Sequence, residues 1–104
     1  MQRITISYAT PADPEAFDSH YLTKHVPLVM QVPHLSAFSW TKPRGLAGDP
    51  DLYLTAHLDF YDADHLKTAL RSPELEAAND DAAALKTPMT VVVGEVVNVP
   101  LAGA

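Results

Sequence analysis

Ten residues, Leu52 to Tyr61, alternate strictly between two kinds of side chain, and no other segment constrains the fold as much. Leu52, Leu54, Ala56, Leu58 and Phe60 fall on one face of an extended strand; Tyr53, Thr55, His57, Asp59 and Tyr61 fall on the other. Such a strand belongs in a sheet that is packed on one side only. Three further segments read as its neighbours. Arg3 to Tyr8 alternates, with Ile4, Ile6 and Tyr8 together. Leu35 to Lys42 sets Phe38 and Trp40 on one face, and Leu35, Ala37 and Ser39 on the other. Met89 to Val99 is dense in β-branched valine.

Helical segments lie between these strands. Asp13 before Pro14 is an N-cap acceptor followed by a proline at the first helical position, which predicts a helix from Pro14 to about Val32. Pro27, inside it, removes the backbone bond to Thr23 and predicts a kink; Pro33 ends it. Asp62 can cap a second helix, and Ser72-Pro73-Glu74 opens another that runs to about Lys86. The order βαββαβ, with two right-handed crossings, predicts an α+β ferredoxin-like domain over residues 1–104 with a four-stranded antiparallel sheet. Helices then cover one sheet face. The face bearing Tyr53, His57 and Tyr61 is too aromatic for open water and too polar for a core, so a second copy packed sheet against sheet is expected, giving a homodimeric barrel.

Charge removes several function classes. Seven Lys and Arg stand against 13 Asp and Glu, a net charge of −6 with neutral His, which argues against a nucleic-acid partner and against an anionic membrane surface. No apolar run approaches the roughly 18 residues of a membrane span, and the first residues carry no signal-peptide core. Cysteine is absent, which excludes disulfides, thiolate catalysis and cysteine-ligated metals. The expected compartment is the cytoplasm.

The first helix holds the candidate chemistry. On a regular helical wheel, His25 falls near the middle of the apolar arc of Phe17, Tyr21, Leu28 and Val32. An imidazole aimed into apolar surroundings tends toward its neutral form, and a neutral imidazole in a dry pocket can accept a proton from a guest. Tyr21, one turn earlier, can orient that guest, and Phe17 and Trp40 can wall an aromatic-ligand pocket. The same residues also suit a plain core, with His25 bonded to a backbone carbonyl. His57 reads either as a titrating pocket group or as a dimer-interface residue. His20 reads as solvated, His65 as exposed, and the acidic stretch Glu74 to Asp81 as a solvated helix face. His20 and His25, five apart, do not share a face of a regular α-helix, and no metal-ligand spacing appears, so neither a metal nor another cofactor is expected.

The stretch Phe17-Asp18-Ser19-His20-Tyr21-Leu22-Thr23-Lys24-His25-Val26-Pro27-Leu28 resembles the signature of the EthD family: an aromatic residue, a tyrosine, then His-x-Pro-Leu closing the first helix. The resemblance implies a ferredoxin-like dimeric α+β barrel and singles out His25 as the family histidine. It places the chain near small cofactor-independent proteins such as muconolactone isomerase-like enzymes, antibiotic-biosynthesis monooxygenases and polyketide cyclases. The expected function is acid–base chemistry (isomerisation, cyclisation or cofactor-free oxygenation) on a small hydrophobic or aromatic compound. The alternatives are a non-catalytic small-molecule-binding accessory protein of a degradative or biosynthetic pathway, and a purely structural oligomer.

Overall fold

The computed structural model describes residues 1–103. Its strands are β1 (Gln2–Tyr8), β2 (Leu35–Thr41), β3 (Leu54–Phe60) and β4 (Met89–Glu95), in the sheet order β2-β3-β1-β4 with every pairing antiparallel. Helices α1 (Pro14–His20), α2 (Val26–Val29), α3 (Ala63–Leu70) and α4 (Pro73–Ala84) supply the crossings, which makes the chain a ferredoxin-like α+β fold. The three longer helices begin at side-chain caps: Asp13 accepts from the Ala16 amide, Asp62 from His65 and Ser72 from Leu75. Each cap is worth about 1 kcal/mol relative to alanine. Among the described residues, no helix is long and apolar enough to cross a membrane.

The alternation of β1 and β3 is realised as read. Ile4 pairs with Leu58, Ile6 with Ala56 and Tyr8 with Leu54, all on the face beneath the helices. Leu54, Ala56, Leu58 and Phe60 are buried there. Leu52 falls outside β3, and β4 stops at Glu95 rather than Val99; beyond it, the Val96 amide bonds the Met1 carbonyl. Strand β2 departs from simple alternation. A bulge between Leu35 and Ala37 brings Leu35 opposite Phe60, so Leu35 packs with Phe38 against the core rather than facing away from it. Strands β2 and β4 form the two edges of the sheet.

The expected kink at Pro27 takes the form of a change of winding. The Tyr21 amide bonds the Phe17 carbonyl in α-helical fashion, the Val26 amide reaches back five residues to Tyr21, and the Met30 amide returns to the α pattern at Val26. Residues Tyr21–His25 are thus a π turn. Proline has no N–H to give the carbonyl four residues back, and its ring collides with that carbonyl in a tight helix. Taking one extra residue into the turn ahead of Pro27 removes the demand for that bond, while the chain keeps its helical course into α2.

Candidate active site

Strand β1 carries Tyr8 at its C-terminal end on the covered face, and the helices lay an aromatic layer over it. The Phe17 ring meets Tyr8 edge-on at 5.2 Å and stacks on Tyr21 at 5.8 Å. Trp40, from β2, meets Tyr21 edge-on at 6.1 Å. Such pairs contribute about 0.5–1.5 kcal/mol each beyond the area they bury. His25 follows Tyr21, with ring centroids 5.3 Å apart, and is 4% exposed.

Beside this layer lies a cavity of about 120 Å³ between the sheet and α4. Ile4, Ile6 and Tyr8 line it from β1, Ala78 and Ala82 from α4, and His25 from the π turn. Its walls are mainly apolar side chains. The Tyr8 hydroxyl is buried and has no hydrogen-bond partner. Burial, followed by the charge of Asp81, pushes the Tyr8 phenol up to about 12, so it is a neutral O–H donor with nothing to donate to.

Helix α4 supplies the group that organises the histidine. Asp81 Oδ2 lies 3.0 Å from His25 Nδ1, and Asp81 Oδ1 lies 2.9 Å from His20 Nε2. An ionised carboxylate can only accept, so the His25 proton sits on Nδ1 and Nε2 is left with its lone pair for a guest. Burial draws the His25 imidazole below its ordinary value of 6.5; Asp81 pulls it upward, and His20 adds to the lowering. The net direction is downward, so His25 is a neutral base at neutral pH.

Of the residues singled out in the sequence, the structure brings His25, Tyr21, Phe17 and Trp40 together. His25 borders the cavity, while Tyr21, Phe17 and Trp40 form the aromatic layer behind it and are not cavity walls. His57 is elsewhere. It pairs with Thr5 and Ser39 on the opposite sheet face, because β3 alternates, so it cannot reach a guest in this cavity. Three expectations about polar residues are corrected. Asp81 is half-buried rather than solvated, and His20 is bonded to it. The π turn closes over five residues instead of four, so His20 and His25, misaligned on an α-helix, converge on one carboxylate. His65, expected to be exposed, is half-buried and stacks on His34 at 4.6 Å.

Sequence reasoning missed Asp81 and the free Tyr8 hydroxyl. A signal for Asp81 existed: it lies three residues after Ala78 and four before Leu85, both buried, so it borders the apolar stripe of α4. Tyr8 was placed on the covered face by its alternation with Ile4 and Ile6, and a phenol there needs a partner. Among the described residues, no group of three or more His, Asp or Glu side chains is arranged to hold a metal ion.

Comparison with known proteins matches this architecture. An uncharacterized 11.0 kDa protein from the thcB-thcC intergenic region of Rhodococcus erythropolis is 45% identical over 84 residues, which cover 80% of this chain and 82% of that protein. The crystal structure of an ethyl tert-butyl ether D (EthD) family protein from Bacillus halodurans is 31% identical and superposes with a TM-score of 0.86, covering 93% of this chain and 99% of that one. SnoaB, a cofactor-independent oxygenase from Streptomyces nogalater, is 15% identical with a TM-score of 0.69, covering 94% of each chain, a likeness of fold. The profile of the EthD domain matches residues 9–85, and with these relatives it shows that the chain belongs to the EthD family.

Proposed function

We propose that the chain is a cofactor-independent enzyme that moves a proton on a small, largely apolar molecule carrying a ketone or phenol oxygen. One observation carries this reading: His25, oriented by Asp81, borders an apolar cavity that Tyr8 also lines, and the Tyr8 hydroxyl is buried without a partner. His25 Nε2 takes the guest's acidic proton. The Tyr8 O–H donates to the oxygen on which negative charge develops, in surroundings where few water dipoles compete. Asp81 holds the tautomer and balances the imidazolium formed. Isomerisation, cyclisation and reaction of a carbanion with oxygen all begin from the resulting enolate or phenolate. The fold shared with SnoaB, described as a cofactor-independent oxygenase, is compatible with the last of these.

The cavity size limits the guest. A cavity of about 150 Å³ accepts benzene, so 120 Å³ encloses no more than a bare ring, and any substituent extends outward past the exposed Met89 and Val91 on its wall. The test is α-proton exchange in deuterated water, followed by NMR, with phenylacetone and 2-indanone as probes. The wild-type chain is expected to exchange these protons with saturation kinetics, and phenol to compete. Exchange no faster than with free imidazole at equal concentration would count against the proposal.

The active unit in this reading is a homodimer. The sheet face away from the helices carries Thr5, Ser39, His57 and Val92, with Arg3 bonded to Asp59 at 2.7 and 3.0 Å. The guanidinium holds the Asp59 carboxyl below its ordinary range. A face of small polar and β-branched side chains around one internally satisfied ion pair suits a second sheet better than open water. Thr5→Glu sets an unpaired charge in its middle. Light scattering at micromolar concentration is expected to show a dimer for the wild type and a monomer for Thr5→Glu. A monomeric wild-type chain removes this part of the proposal.

A further inference from the structure

Two imidazoles share one carboxylate, each on its own oxygen: His20 on Oδ1 and His25 on Oδ2. The three form a gradient from solvent to cavity, with side-chain exposures of 25% for His20, 15% for Asp81 and 5% for His25. His20 has no place in the chemistry proposed above, although it occupies half of the group that orients the base. We infer that His20 is a positioning residue that keeps His25 in its proton-accepting form by competing for Asp81, an inference that rests on the acid–base reading of the cavity.

The argument begins from what one carboxylate can neutralise. A single negative charge balances one imidazolium, not two. The ring nearer water hydrates a positive charge at lower cost, so a charge in the cluster is better placed on His20 than on buried His25. With His20 charged, Asp81 is already balanced, and a proton on buried His25 meets the desolvation cost without a free counter-charge. His25 therefore stays neutral to lower pH than it would beside an unshared Asp81. The geometry also fixes Asp81: with Oδ1 held by His20, the carboxylate cannot swing away from His25 Nδ1.

The other groups facing the cluster do not supply this effect. Tyr8, from β1, remains uncharged. Tyr21 lies in the π turn itself, and burial raises its phenol. Asn79, beside the cavity on α4, is neutral. Asp13 and Lys86 border the groove outside His20 and carry opposite charges.

The test follows the ring resonances of His20 and His25 by NMR in the full chain between pH 4 and 9. In His20→Gln, the His25 midpoint is expected to rise by about one unit. In an Asp81→Asn background, where only direct repulsion between the two rings is left, adding His20→Gln is expected to move His25 less. A His25 midpoint that stays within about 0.2 unit in His20→Gln overturns the inference, since coupling of this kind separates macroscopic values. So does a shift that persists undiminished in Asp81→Asn. If His20→Gln does not fold, the same measurement in His20→Asn decides. The readout needs no turnover, so an inactive but coupled wild-type chain would count against the enzymatic reading alone.

Discussion

Exchanging His25 for glutamine is expected to lower proton-transfer turnover by about 10²–10⁴-fold, the usual contribution of a positioned general base. Glutamine is close to imidazole in reach and its amide N–H can still donate to Asp81, so the cavity wall and the α4 contact are largely kept. It has no lone pair basic enough to hold a proton. The loss should therefore appear in kcat, with binding of a phenol probe and the melting temperature near wild type. Steady-state exchange kinetics and thermal unfolding on the same sample check both halves. A variant that keeps more than a tenth of the wild-type rate would remove His25 from the chemistry. A variant that binds no probe would assign His25 to binding instead.

Tyr8→Phe is expected to push stability and activity in opposite directions. The hydroxyl is buried without a partner, and an unsatisfied buried donor costs about 1–3 kcal/mol. Removing it should stabilise the chain, and for a domain of this size each kcal/mol raises the melting temperature by roughly 4–8 °C. The ring remains to pack against Phe17 and Tyr21, so no cavity is added on that side. Turnover should fall by about 10²–10³-fold, the cost of losing one donor to a developing oxyanion. A structural role alone predicts neither the gain nor its pairing with lost activity. A lower melting temperature in Tyr8→Phe would mean that the hydroxyl is satisfied in the folded protein, and the oxyanion role would fall with it.

Elements whose signals were local were legible in the sequence. Asp13, Asp62 and Ser72 each mark a helix start because a short acceptor side chain next to a proline or an apolar run has few other uses. The alternation of β1 and β3 reported both sheet faces. The placement of His25 on the apolar arc was legible for the same reason, since only α-helical periodicity was needed to reach residue 25 from Phe17. What was not legible depends on departures from those periods. The bulge at β2 turns Leu35 inward, and a wheel drawn with one pitch cannot show that Tyr21–His25 winds more widely. Asp81 was hidden for another reason: its partners lie 56 and 61 residues away, and an acid beside another acid on a helix looks solvated until the opposing surface is known.

Strand β4 has a cost in handling. It ends the sheet, so one row of its amides and carbonyls has no neighbouring strand, and Val91, Val92 and Val93 are each more than half exposed. Glu95 is its only charged residue, and the stretch that follows, with Val97, Val99 and Leu101 also exposed, adds none. Natural proteins usually guard such borders with lysine, proline or a covering loop. Here a row of valines runs along the border almost unguarded, which leaves it open to any extended chain that drifts alongside.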